Sequence, residues 1–267
     1  MNMCDDACFT ITDRDAEWLR GRQHGVDIAK FDRWLAESTR VAIEPTGEVR
    51  RLVEWQNVPL MLMPDMVAMS RGDTLVDFKN DVVSDVKVYG LEDSVRASKY
   101  PKAVDVSSCT SDVTNTTNKL GTADIGSGHD NFLNGIVVQF DLRFTVKAWT
   151  EEERYHFIDF ISSQSTMHRI TQFDLDKSYI KYVDRQIINR MKELVEQYNE
   201  APSAENFLAV VYSNPCGFQL TARMTTNYRQ LKTIYSQRKT HRLPEWHSFC
   251  EFCEALPHSE WITGNKE

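Results

Sequence analysis

Ile136, Val138, Phe140, Leu142, Phe144 and Val146 alternate with Val137, Gln139, Asp141, Arg143, Thr145 and Lys147. A period of two held over twelve residues describes a strand with one apolar and one mixed face. Such a strand needs antiparallel neighbours and a covering layer on one side. The rest of the second half supplies both. Val86–Tyr89 reads as a strand, and Leu91–Ser98 as a helix stopped ahead of Pro101. Thr150 and Glu153 have capping-box spacing for a helix carrying Phe157, Ile158 and Ile161. A polar loop, Ser162–Arg169, follows, and Ile187, Met191, Leu194, Val195 and Tyr198 mark a further helix. After Pro202 the pattern gives a helix to about Tyr212, a strand near Phe218–Met224 and a basic helix from Thr226 to about Lys239. Pro244 opens a last helix that buries Trp246 and Phe249, with Cys250 and Cys253 on the same side. The order is α+β, an antiparallel sheet flanked by helices, and not the βαβ alternation of a doubly wound sheet. No G-x-G-x-x-G follows a strand, which excludes dinucleotide binding of the Rossmann kind.

The first 85 or so residues form an N-terminal appendage, leaving 86–267 as the main domain. Thr12 and Asp15 have helix-start spacing, and Ile28, Phe31, Trp34 and Leu35 make a helical stripe. Short runs at Arg40–Ile43, Val49–Trp55 and Val58–Met63, parted by Pro45–Gly47 and Gln56-Asn57, read as a small β-meander. The appendage carries no recognisable chemistry.

No apolar run reaches the ~18 residues of a membrane helix; Val58–Met69 is broken by Pro64 and Asp65. The opening Met1–Asp6 is acidic and lacks an apolar core, so no signal peptide is expected. Six cysteines in 267 residues are too sparse for a disulfide framework, and the expected setting is a reducing cytoplasm, of a bacterium or a virus-infected cell. Cys250 and Cys253 near His247 suggest zinc, but Phe249 and Phe252 sit among them on a helix and no second pair is in range. No metal is expected.

Charge narrows the function. Asn206–Pro244 contains no Asp or Glu, and Thr221–Arg242 carries Arg223, Arg229, Lys232, Arg238, Lys239 and Arg242. The chain's net charge is −8, so the remainder stands at −14. A cationic block on an otherwise acidic protein suits a small phosphate compound, whereas a long nucleic acid would be repelled by the rest. The competing reading is a solvated basic face. Two segments sharpen the choice: Gln164-x3-His168-Arg169, and Asn227-x-Arg229-x8-Arg238. On a helix Asn227 and Arg238 lie about three turns and ~16 Å apart on one face. Arginine forks suit phosphates and ring carbonyls, and Gln or Asn suits the edge of a heterocycle.

Taken together these segments resemble the flavin-dependent thymidylate synthases. That family pairs a glutamine followed by Arg-His-Arg with a later helix bearing Asn-x-Arg and, nine residues on, a catalytic arginine. Here the counterparts are Gln164, Met167-His168-Arg169, and Asn227, Arg229 and Arg238. Gly128-His129 matches a Gly-His ahead of the central strand, and Asp176-Lys-Ser178 echoes an acidic–x–Ser element, with Lys181 and Tyr182 after it. The resemblance spans roughly Val86 to Trp246. It implies that fold, and FAD-dependent methylation of dUMP to dTMP with methylenetetrahydrofolate and NADPH as co-substrates. It further implies a homotetramer with sites between subunits. His129, His168, Arg169, Asn227 and Arg229 would contact FAD. Gln164, Asp176, Ser178 and Arg238 would hold the nucleotide, with Arg238 stabilising the ring anion that makes carbon 5 nucleophilic.

The chain also departs from that pattern. Met167 replaces the first arginine of Arg-His-Arg, and Val211 falls where an arginine is expected. These departures leave room for hydroxymethylation of a pyrimidine deoxynucleotide, or for a nucleotide- or flavin-binding protein without catalysis. Pro215-Cys216 resembles the nucleophile motif of the unrelated classical thymidylate synthases, but Gly217 stands where those have histidine.

Overall fold

A computed structural model describes residues 8–21, 26–43, 49–59, 62 and 74–264. They form two compact units, one ending at Asp77 and one beginning at Phe78. The expected turn Pro45–Gly47 lies outside the described residues, as does half of the run Val58–Met63, and Val58 itself is not in a strand.

In the first unit β1 (Cys8–Thr12) leads into α1 (Asp13–Gly21) and α2 (Val26–Ser38), followed by β2 (Thr39–Ile43) and β3 (Val49–Glu54). Asp15 accepts hydrogen bonds from the Thr12 amide (2.7 Å) and hydroxyl (2.8 Å), which fixes the start of α1. The sheet order is β1–β3–β2, all antiparallel. The sequence pattern does not reveal β1, which completes the sheet. Ile11, Leu19, Phe31, Trp34, Val53 and Leu62 fill the core beneath it. A short strand, β4 (Thr74–Val76), precedes the break.

The second unit carries β5 (Val83–Tyr89), α3 (Leu91–Ala97), α4 (Asn115–Gly121) and β6 (Val137–Thr145). Next come α5 (Val146–Glu152), β7 (Asp159–Ser163), α6 (Thr166–Arg169), α7 (Arg185–Glu200) and α8 (Ala204–Ser213). The chain continues through β8 (Gln219–Asn227), α9 (Tyr228–Arg238), α10 (Pro244–Ala255) and α11 (Glu260–Thr263). Its strands run β5–β6–β8–β7, all antiparallel, with β7 at the edge.

The alternation in β6 has its expected consequence. Val138, Phe140, Leu142 and Phe144 are fully buried, while Gln139, Asp141 and Arg143 are half-buried on the other face. On the apolar side Phe140 meets Phe252 at 4.8 Å and Phe144 meets Trp246 at 4.9 Å between ring centroids, so α10 packs across the central strand. A second cluster joins α7 and α8 through Ile188, Met191, Leu194 and Val210 to Ile170 and Phe218. Ile187, expected on that stripe, is exposed, and Ile188 takes its place. Cys250 and Cys253 are buried free thiols, both raised by burial, and among the described residues no cluster of three His, Cys, Asp or Glu is placed to hold a metal. None of the described helices is long and apolar enough to cross a membrane.

One expected helix is displaced and cut short. The helix begins at Val146, not near Thr150, because the Thr145 hydroxyl accepts the Ala148 amide at 3.1 Å and ends the strand there. It stops at Glu152, and Phe157 has φ 64°, a left-handed conformation that a right-handed helix cannot continue through. Ile161 instead belongs to β7, which pairs with β8 through Asp159↔Thr225 and Ser163↔Ala222. The spacing of Phe157, Ile158 and Ile161 imitates a helical face, yet Phe157 and Ile161 are exposed.

Candidate functional site

The basic helix α9 starts where β8 ends. Asn227 is its cap, its side-chain oxygen accepting the Gln230 amide at 2.9 Å. One turn on, Arg229 Nε lies 3.2 Å from Asp130 Oδ1, and Lys232 Nζ lies 3.1 Å from Asp130 Oδ2. Lys232 also donates to the carbonyls of Gly121 (2.9 Å) and Ala123. Asp130 is buried and directly follows His129. The Gly128-His129 segment is therefore clasped to the first turns of α9, which brings His129 and Arg229, two expected cofactor contacts, into one neighbourhood. The His129 side chain is exposed there.

Arg238, at the far end of α9, is 8% exposed and heavily engaged. Nη1 donates to Glu151 Oε2 (2.9 Å), Nη2 to the Glu151 carbonyl (3.3 Å) and Nε to the Tyr155 hydroxyl (2.6 Å). Its guanidinium carbon lies 4.5 Å from the Trp246 ring centroid and 5.2 Å from that of Tyr155. Glu151 is a hub, with Lys147 Nζ at 2.7 Å and His241 Nε2 at 3.0 Å. The hydrogen bond from Lys147, together with the charges of His241 and Arg238, holds its carboxyl below the usual range despite burial. The next residue, Glu152, has the opposite fate. It is 1% exposed, its Oε1 has no hydrogen-bond partner, and burial with Glu153 and Asp159 nearby raises its pKa to about 7.

The cationic block is thus matched from within the chain. Arg223 Nη1 reaches Asp85 Oδ2 (2.9 Å) and Asp141 Oδ1 (3.3 Å), Arg229 and Lys232 share Asp130, and Arg238 has Glu151. Four of the six cations read as anion-binding already hold a carboxylate. Asp85, Asp130, Asp141, Glu151 and Tyr155 gave no signal as partners, because each lies far in sequence from the cation it meets. Only the −14 balance outside the block hinted that acids were available.

The other segment lies elsewhere. Gln164 is fastened to the start of β8, its side-chain Oε1 accepting the Thr221 backbone N–H and its backbone N–H donating to the Thr221 carbonyl, both at 2.9 Å. Six residues of strand separate Thr221 from Asn227, roughly 20 Å. His168 and Arg169 are exposed on α6, with Arg169 Nη1 donating to Gln172 Oε1 at 2.7 Å. Among the described residues, none of the three makes a hydrogen bond or ion pair with Asn227, Arg229 or Arg238. Asp176 bridges Arg185 and Lys192 at 2.6 Å each, and those bonds hold its carboxyl low. Ser178 is buried, donating to the Asp174 carbonyl at 2.7 Å. Two of the expected substrate contacts, Asp176 and Ser178, therefore brace their own loop in this conformation.

Comparison with solved structures identifies the architecture. The flavin-dependent thymidylate synthase ThyX of Helicobacter pylori, solved with FAD and dUMP, is similar over 66% of this chain and 93% of its own, with TM-score 0.51 and 13% identity. A UMP/dUMP methylase, PolB of Streptomyces cacaoi bound with 5-Br dUMP, is similar over 68% of this chain and 96% of its own, with TM-score 0.48 and 17% identity. No family model and no curated protein matches the sequence. The mixed fold of helices and antiparallel sheet is that of the flavin-dependent thymidylate synthases.

Proposed function

We propose that this chain is an FAD-dependent enzyme acting on carbon 5 of a pyrimidine deoxynucleotide. The reaction is methylation of dUMP to dTMP, with methylenetetrahydrofolate as carbon donor and NADPH as reductant. The observation that carries this reading is the fold shared with a synthase solved with FAD and dUMP. The order Asn227, Arg229, Arg238 along α9 agrees with it.

The residues present fit the flavin. Arg229 keeps part of its guanidinium at the surface while pairing with Asp130, and His129, next to Asp130 in the chain, is exposed, so forked donors and an imidazole are both available to a ligand. When bound, FAD supplies the hydride that reduces the transferred carbon. His129, Asn227 and Arg229 hold it from one end of β8, and His168 and Arg169 from the other. Gln164, Asp176 and Ser178 orient the nucleotide. Arg238, fixed by Tyr155 and Trp246, lowers the cost of the pyrimidine ring anion. A nucleotide reaching it competes with Glu151 for the guanidinium, and the N–H groups not spent on Glu151 and Tyr155 make the first contact.

The ~20 Å between Thr221 and Asn227 favours a site shared by neighbouring chains in a homotetramer. The exposed edge strand β7, with Phe160 and Ile161 and with Phe157 71% exposed ahead of it, suits such an interface. A second reading, a binding protein without turnover, is favoured by one observation, the Glu151 carboxylate on the Arg238 fork.

Purified protein is expected to show a flavin absorbance spectrum that bleaches with NADPH. With methylenetetrahydrofolate it should release tritium from 5-tritiated dUMP, and product mass separates methyl from hydroxymethyl. Colourless protein that still binds dUMP would establish the binding role, and protein that takes up neither FAD nor dUMP would refute both. Light scattering is expected to give four chains; a monomer that still turns over would sink the shared-site proposal.

A further inference from the structure

Arg229 and Lys232 stand three residues apart on α9, so both reach Asp130 from one helix face, but they hold it differently. Lys232 is fully committed. Its side chain is 7% exposed, and Nζ donates to Asp130 Oδ2 at 3.1 Å, to the Gly121 carbonyl at 2.9 Å and to the Ala123 carbonyl. An ammonium has three protons to give, and all three are used. The socket that receives it is stiff. A Cβ on Gly121 would lie 2.5 Å from the Trp261 ring, and Trp261 Nε1 donates to Asn118 Oδ1 at 3.0 Å. Arg229 is bound far less. Its Nε lies 3.2 Å from Asp130 Oδ1, yet that oxygen has no hydrogen-bond partner, so the contact is charge attraction alone. The Arg229 side chain is 34% exposed, and among the described residues its guanidinium makes no hydrogen bond.

One carboxylate therefore faces two cations. Asp130 is 1% exposed, and a buried carboxylate without a counter-charge is strongly disfavoured. Lys232 supplies that counter-charge from inside the core, so the surplus positive charge falls on Arg229, at the surface. Its two Nη groups stay free to fork onto an anion. Without Lys232, Arg229 would be the one cation left on Asp130 among the described residues. Compensating that buried charge would turn the fork inward, away from any ligand.

We propose that Lys232 is a positioning residue: it neutralises Asp130 so that Arg229 can take an anionic group of the ligand. This rests on the flavin reading above, under which that group is the diphosphate of FAD. The test titrates FAD and, separately, inorganic pyrophosphate into the full chain by calorimetry, with circular dichroism checking the fold of each variant. Lys232→Met should weaken both ligands by roughly tenfold, the worth of one hydrogen bond to a charged group. It should also flatten their salt dependence, because Arg229 is then paired internally. Asp130→Asn removes the competitor and should bind both ligands at least as tightly as the parent. Combining the two substitutions should recover most of the affinity lost in Lys232→Met, since no buried charge remains to capture Arg229. A lysine that merely braces the fold gives the opposite pattern, with losses in both single variants and a larger loss in the double, and that pattern would overturn the proposal. Parental affinity and salt dependence in Lys232→Met would overturn it as well. Should Lys232→Met not fold, Asp130→Asn decides alone, weaker binding refuting the capture of Arg229. A parent that takes pyrophosphate but no FAD refutes the flavin reading and leaves Lys232 to be judged on pyrophosphate; a parent that takes neither refutes both.

Discussion

Replacing Arg238 with Ala is expected to lower the unfolding free energy of the second unit by about 3 kcal/mol, whatever it does to turnover. The side chains of Arg238 and Glu151 are each about one-tenth exposed, and their pair is supported by the Tyr155 hydroxyl and the face of Trp246. Removing one partner of a buried pair strands the other, which typically costs about 3–5 kcal/mol. The lower figure applies because Glu151 keeps Lys147 and His241. Arg238→Lys should recover only part of the loss, since an ammonium cannot fork to Glu151 and Tyr155 while stacking on the indole. Urea unfolding of the three proteins measures this directly. A midpoint for Arg238→Ala within error of the parent would show that the cluster contributes nothing to stability. Because the same variant is expected to lose turnover, activity has to be read at a temperature where it is folded.

Glu152→Gln is expected to stabilise the protein at pH 8 relative to pH 5. The folded carboxyl is raised from 4.5 to about 7 by burial and by the negative Glu153 and Asp159, so folding favours its protonated form. Its contribution is intact below the unfolded value of 4.5 and is lost as pH rises through about 7. By linkage the loss amounts to roughly 3 kcal/mol across that window. Gln cannot ionise, so its advantage over Glu should grow by roughly 2–3 kcal/mol between those two pH values. Denaturant melts of both proteins at each pH provide the comparison, and an equal gap at the two would rule out a buried neutral acid at this position.

Most of the second unit's scaffold was legible from periodicity. Alternation located β6 because one of its faces packs on helices while the other stays half-open, which leaves a period of two in the sequence. Pro244 with Trp246 and Phe249 likewise marked α10, since its aromatic stripe had to meet an apolar sheet. β7 was misread as a helix because an exposed edge strand obeys no burial pattern, and chance helical spacing filled the gap. The site was less legible. The residue types and their order along α9 were visible, but Asp130, Glu151 and Tyr155 reach those cations through tertiary contacts that leave no local trace. The position of Gln164 depended on a strand register, Ser163↔Ala222, that sequence spacing does not encode.

Thr145 joins three parts of this architecture through one oxygen. It terminates the central strand, receives the Ala148 amide that opens α5 and donates its proton to Glu245 on α10. Any replacement must supply a lone pair and a proton from the same atom in a space closed to solvent. Among small side chains serine alone meets that demand; valine, equal in shape, would unfasten two helix beginnings at a stroke.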